Sequence, residues 1–384
     1  MLDESLLDAP DDLVRADRHE LLRGAAEAGA RVRTAIRHAT EAGVTDLKPD
    51  GRPRAVLLAG PGTAATGVAD LLDALVGTTS PVVRLAPTGV APAAGALRWA
   101  LPGWVGSVDL LLIATPDGSE PGLTLLAEQA YRRGCTVVAV APARSPLTEG
   151  VRGAHGLAVP MALSPQPAAD APFGTEAPTA APGTLWALLT PLLALFDRTG
   201  LLSAPTETLQ KVADRLDAVA ERCGPAVATY SNPAKTLAAE LSEALPLIWT
   251  EGPTAGPVGR RFAATLAELA GHPALAAELP EALPAHAALL GQGPAGGADG
   301  DDFFRDRVED AALLRPRAVL LRDRPADAGG LTAAPAAREL AQSHDVALSE
   351  LDPDDGDDLE RVAELIALTD FAAVYLAVAS GDRS

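Results

Sequence analysis

Residues 98–141 read RWALPGWVGSVDLLLIATPDGSEPGLTLLAEQAYRRGCTVVAVA. The run VDLLLIAT is apolar without alternation, as a strand covered on both faces must be. It leaves through the turn-forming TPDGSEP. GLTLLAEQAYRRG then spaces its apolar residues as a helix does, and CTVVAVA returns as a second buried strand. Upstream the texture is the same: AVLLAG from Ala55 is a strand, PGTAATG a Gly-rich turn, VADLLDALVG a helix and VVRLA a strand. Strands of this kind alternating with helices predict a parallel sheet covered on both faces.

The second half repeats the pattern. AVATYS, PLIWTEG, RAVLLRD and VALSEL read as strands separated by helical stretches, and DLERVAELIALTDFAAVYLAVASG as a closing helix. The expectation is an α/β protein of two tandem doubly wound, flavodoxin-like parallel-sheet lobes, since 384 residues exceed what one core usually serves. The expected divisions are an N-terminal helical segment at 1–50, a first lobe at 51–162, a Pro/Ala-rich linker or insert at 163–183, connecting helices at 184–222 and a second lobe at 223–384. The run TLWALLTPLLALFDRTGLL, apolar on nearly every side and interrupted by Pro191, reads as a buried interlobe or dimer helix.

Composition narrows the function. A net charge of −20 opposes nucleic acid and anionic lipid, so a phosphorylated ligand needs a local positive site. Lys48, Lys211 and Lys235 are the only lysines. Cys135 and Cys223 lack metal-ligand spacing and suit a reducing compartment. LDESLLDAPDD after Met1 has no signal-peptide character, and no uninterrupted apolar run spans a bilayer, so a cytoplasmic location is expected. The six histidines form no paired ligand motif. No GxGxxG with a downstream acid is present, so neither a metal nor a nicotinamide or other cofactor is expected.

Two loops could hold a ligand. Gly60, Gly62, Thr63 and Thr66 lie between a strand and a helix start, where backbone N–H groups and hydroxyls favour an anion; a plain tight turn is the alternative. Thr115 and Ser119 lie in the loop after VDLLLI, where Ser119 as a helix cap and Glu120 as a first-turn acid is the alternative. Side by side at the carboxyl ends of neighbouring strands, the two loops would make one pocket.

At this point residues 98–141 are similar to the bifunctional phosphoglucose/phosphomannose isomerase family of SIS-domain sugar isomerases. There a Gly-Tyr-x-Leu-Pro stretch precedes a strand and a Ser-Gly-Asn-Thr-Glu-Glu phosphate loop. NPAKTLAAEL, LPLIWTEG, the segment from Arg261-Phe262 to Glu268, LPE at 279–281, RAVLLRD and LIALTDFAAVYLA resemble further landmarks in the same order. The resemblance implies an aldose–ketose isomerase, taking glucose 6-phosphate or mannose 6-phosphate to fructose 6-phosphate through an enediol, and a homodimer. It implies Glu268 as the proton-transferring carboxylate and His286 in ring opening.

The pattern also departs from the family. Ala267, Leu269 and Gly271 replace two asparagines and a lysine around Glu268, and His286 stands two residues further on than the family's histidine. Pro116 and Asp117 stand where Ser and Gly are expected, and Pro182-Gly183 where a Pro-Arg would supply a guanidinium. The family's last helix, with its lysine, would fall beyond Gly381. Remaining positive groups near matched motifs, which could stabilise a bound anion or form surface salt bridges, are Arg98, Lys235, Arg260 and Arg261. These departures support a second reading, a SIS protein that binds a phosphorylated sugar or a partner without turning it over.

Overall fold

The computed structural model describes residues 2–49, 51–89, 97–162, 180–290, 315–324 and 332–381. The expected linker at 163–183 lies, up to residue 179, outside the described residues. In chain order the helices α1 (Glu4–Leu7), α2 (Pro10–Ala16), α3 (Leu21–Ala26) and α4 (Ala28–Glu41) come first. Then follow β1 (Val56–Ala59), α5 (Gly62–Val76), β2 (Val82–Leu85), β3 (Leu110–Ala114), α6 (Pro121–Arg132), β4 (Thr136–Ala141), α7 (Pro146–Gly153) and β5 (Leu157–Pro160). Helices α8 (Thr184–Thr199), α9 (Thr206–Cys223) and α10 (Pro233–Leu241) lead to β6 (Ala244–Glu251), α11 (Ala255–Ala270), β7 (Leu275–Glu278) and α12 (Ala282–Leu290). The chain closes with β8 (Arg315–Arg322), α13 (Ala334–Ser343), β9 (Leu348–Leu351) and α14 (Asp358–Ala379). Two compact units result: residues 19–220, and residues 221–384 with 1–18.

In the first unit a wholly parallel sheet runs β2-β1-β3-β4-β5, the flavodoxin-like order. Every residue of β1 and β3 is buried, as their unbroken apolar runs require. The order reverses between β1 and β3, so the crevice at their carboxyl ends is the switch point of this lobe. Helix α8 packs on α4, α5 and β4 of its own unit. That explains its apolar surface all round, with Pro191 buried inside the helix.

The second unit's sheet, also wholly parallel, runs β7-β6-β8-β9, with its switch point between β6 and β8. Helix α14 begins in a capping box between Asp357 and Glu360 and packs against α10 and α11. It is long and apolar enough to cross a bilayer, but 89% of its apolar window is buried inside the protein. It also carries buried Glu364 and Asp370, each paired with an arginine.

Residues 1–18 join this second unit. The buried Lys235 ammonium donates to the carbonyls of Leu7 (2.5 Å), Pro225 (2.8 Å) and Val227 (2.8 Å), and Asp8 accepts the amide and hydroxyl of Thr229. AVATYS is not a strand. Thr229–Ser231 form a 3-10 turn, Tyr230 is 91% exposed, and the Asn232 side chain takes the amides of Ala234 and Lys235 to start α10. Capping by Asn-Pro outcompetes strand pairing here. Both cysteines are free and buried, and burial pushes the Cys135 thiol up to about 11, as befits small core residues.

Candidate functional site

The first lobe assembles three loops at the carboxyl edge of its sheet. After β1, a Cβ on Gly60 would stand 2.0 Å from the Ala114 carbonyl oxygen, so only glycine lets the chain pass so close to the end of β3. Gly62 has φ 79, a left-handed value that suits glycine, and opens α5, whose N-cap residue Pro61 contributes no side-chain cap. The N–H groups of a helix start point out along the helix axis. Thr63 and Thr66 are half-buried in that turn. Thr66 Oγ1 donates to the Gly62 carbonyl at 3.1 Å and accepts from Arg84 Nη1 at 3.4 Å. Arg84 thus brings a guanidinium from β2 to the start of α5. An arginine inside the otherwise apolar VVRLA was the sequence signal for it.

After β3, Thr115 is 1% exposed, and its hydroxyl oxygen accepts the amides of Asp117 and Gly118, each at 3.3 Å. The Ser119 hydroxyl donates to the Asp117 carboxylate. Gly118 has φ 71 and packs on Ser145, which caps α7 after β4. The polar groups of this second loop are thus turned on one another, and Asp117 places a negative charge beside them. Glu120 Oε1, at the start of α6, is buried with no hydrogen-bond partner among the described residues.

The second lobe shows the same geometry filled by the protein itself. At its switch point Asp323 follows β8 and accepts the Thr254 amide (2.7 Å), the Thr254 hydroxyl (2.8 Å) and the Ala255 amide (3.4 Å) at the start of α11. Gly252, with φ 107, makes room for it, because a Cβ there would lie 1.9 Å from Asp323 Oδ1. At the start of α13, Glu251 accepts the Ala333 amide and the Thr332 hydroxyl. A carboxylate already sits where an anion would bind at both helix starts.

Of the candidate residues in the second lobe, Arg261 is buried in α11 and bidentate to Asp370 of α14. Burial pushes the Asp370 carboxyl up, and the Arg261 charge draws it back down. His286 is buried in α12, and its Nδ1 accepts the Trp249 indole N–H at 2.9 Å. Burial lowers its pKa, which favours the neutral ring. Glu268 is exposed, about 20 Å along α11 from the helix start. His272, one turn on, contacts the Ala244 carbonyl oxygen at the start of β6 (2.9 Å). Glu268 therefore lies toward the amino-terminal edge of the second sheet, whereas His286 meets Trp249 near the carboxyl end of β6. One chain does not bring the two together.

Two parallel sheets of order 2-1-3-4-5 and 2-1-3-4, each with a Gly turn at its switch point, define a two-lobed SIS-type α/β protein. Residues 230–382 match the bacterial phospho-glucose isomerase C-terminal SIS domain. The whole chain shares its fold with a protein assigned as a phosphosugar isomerase from Silicibacter pomeroyi (15% identity, 93% of this chain and 97% of that one, TM-score 0.59). It also shares it with the C-terminal domain of glucosamine-fructose-6-phosphate aminotransferase from Francisella tularensis (13% identity, 95% and 97%, TM-score 0.55). A third similar structure is the hypothetical protein TT0462 from Thermus thermophilus (14% identity, 97% and 89%, TM-score 0.59). No curated protein matches the chain.

Proposed function

We propose that this protein binds a phosphorylated hexose at the carboxyl edge of its first sheet, with the phosphate on the Gly60–Thr66 turn beside Arg84 and the sugar over Thr115, Ser119 and Glu120. The observation that carries this reading is the contrast between the lobes. Arg84 brings a guanidinium to the start of α5, whereas the carboxylates of Asp323 and Glu251 occupy the starts of α11 and α13. Binding without turnover is the form that the rest of the geometry supports. Arg261 is committed to Asp370, His286 to Trp249, and Glu268 is exposed away from the switch point of its own sheet.

Isomerisation is the second reading. It is favoured by the match of residues 230–382, which include Glu268 and His286, to a phospho-glucose isomerase domain. In it Glu268 moves a proton between C1 and C2 and His286 assists ring opening, with a homodimer supplying the groups one chain keeps apart.

Calorimetric titration with glucose 6-phosphate, mannose 6-phosphate and fructose 6-phosphate, run beside an assay for interconversion, separates these readings. Binding that Arg84→Ala abolishes, without turnover, is the expected result. Turnover lost in Glu268→Gln establishes the isomerase instead. If none of the three hexose phosphates binds, the site assignment fails.

A further inference from the structure

A cavity of about 730 Å³ opens at the amino-terminal edge of the first sheet, the edge away from the proposed sugar-phosphate site. Its size is within the range of about 300–1,000 Å³ common to small-molecule sites. Leu110, Thr136 and Leu157, at the starts of β3, β4 and β5, form its floor, and the ends of α6, α7 and α8 form its wall. Lys48 and Arg52 enter it from the segment before β1. Among the described residues its one acidic lining residue is Asp109, whose carboxylate is buried and accepts Arg54 Nε at 3.0 Å and Nη2 at 2.7 Å. Among the described residues the charge left open to the cavity is positive, in a chain of net charge −20.

Three helices end around this cavity in the same Schellman closure. Cys135 N donates to Ala130 O and Gly134 N to Tyr131 O; Gly156 N to Val151 O and His155 N to Arg152 O; Leu201 N to Phe196 O and Gly200 N to Asp197 O. Each closure needs one left-handed residue. Two of the three are glycines, Gly134 at φ 75 and Gly200 at φ 69, and the third is His155 at φ 55. Glycine accepts that conformation freely, whereas a side chain crowds the following carbonyl. The closures also use the last-turn carbonyls internally, which lessens the negative field of the helix ends in the cavity.

What His155 brings in exchange is an exposed imidazole on the cavity wall. Its ring centroid lies 6.1 Å from that of Tyr131, at 47°, and Tyr131 is itself 49% exposed. Backbone strain kept at a cavity wall, together with two aromatic faces and two cations, is the combination a ligand would select.

We propose that this cavity is a second ligand site, taking an anion that carries a planar ring, the chemistry of a mononucleotide. The ring lies against Tyr131 and His155, and the phosphate lies toward Lys48 and Arg52. The site is separate from the sugar-phosphate loops and does not depend on them.

Titration of the full chain with AMP, GMP, CMP and UMP at low salt tests this, with adenosine and inorganic phosphate as the two halves of AMP. The expected result is saturable binding of at least one nucleotide with Kd below ~1 mM, and at least ~10-fold weaker binding of either half. His155→Gly should raise the melting temperature by about 2–4 °C, because it relieves the left-handed backbone, yet weaken the nucleotide ~10-fold. Lys48→Ala with Arg52→Ala should weaken the nucleotide ~10-fold and leave adenosine unchanged. Nucleotide binding should persist in Arg84→Ala, which separates it from any failure of the sugar-phosphate site. Failure of all four nucleotides to bind, or affinities unchanged in both His155→Gly and the double variant, overturns the proposal.

Discussion

Trp249 donates its indole N–H to Nδ1 of His286 at 2.9 Å, and both rings are buried in the second lobe. The contact leaves the ring proton of neutral His286 on Nε2 and makes the imidazole a core acceptor. His286→Ala is expected to cost about 2–4 kcal/mol, through the cavity it leaves and the indole N–H it orphans.

The folded pKa of His286 lies below its ordinary 6.5, so the unfolded chain binds the proton more readily. Stability from this residue is complete above about pH 6.5 and is lost as the pH falls toward the folded value. Urea melts between pH 5 and 8 should show that acid-side loss in the wild type and a shallower one in His286→Gln. An unchanged slope would remove the neutral core role.

Arg261 and Asp370 form a buried pair between α11 and α14. Arg261→Met should destabilise the protein by about 3–5 kcal/mol, because it strands a carboxyl group in the core, whereas Arg261→Met with Asp370→Leu should come close to neutral. Chemical denaturation of the two single variants and the double variant measures the coupling. Sugar-phosphate affinity in the stable double variant separates a structural arginine from a phosphate-binding one: unchanged affinity is the expected result.

Asp117 faces the proposed sugar-phosphate loop with a negative charge held by Ser119. Asp117→Asn should tighten sugar-phosphate binding by about 3–10-fold, and Arg84→Ala should weaken it by at least ~10-fold, both effects shrinking as salt rises. Calorimetry at two ionic strengths checks the sign of each.

Gly60 and Gly252 occupy equivalent switch-point turns, yet their alanine variants should differ in kind. A Cβ at residue 60 meets a backbone carbonyl oxygen at 2.0 Å, which cannot yield without moving β3. Gly60→Ala should cost about 3 kcal/mol or more. At residue 252 the obstacle is the Asp323 side chain, at 1.9 Å, added to a φ of 107. Gly252→Ala should displace Asp323 from α11 and open an anion site there, seen as sulfate-dependent stabilisation in thermal melts that the wild type lacks.

The strands β1, β3, β4, β6 and β8 were legible in the sequence because a strand buried on both faces has to be apolar throughout. The residues between them therefore read as turns and helices. The edge strands β2 and β9 were also read, from VVRLA and VALSEL, whereas LAVP of β5 and LAAE of β7 carry too little pattern to announce them. AVATYS failed in the opposite sense, because capping by Asn232 outcompeted its β-branched residues. Gly60 and Gly62 could be read at once, since a turn between a strand and a helix needs them locally.

The commitments that define the candidate site could not be read in this way. Arg261 finds Asp370 across 109 residues, Asp323 reaches Thr254 across 69, and Trp249 meets His286 across 37. Each pairing joins side chains from different elements, so no local spacing records it. A lone arginine, aspartate or histidine looks the same in sequence whether it awaits a ligand or already holds a partner, and only packing of the sheets and helices distinguishes the two.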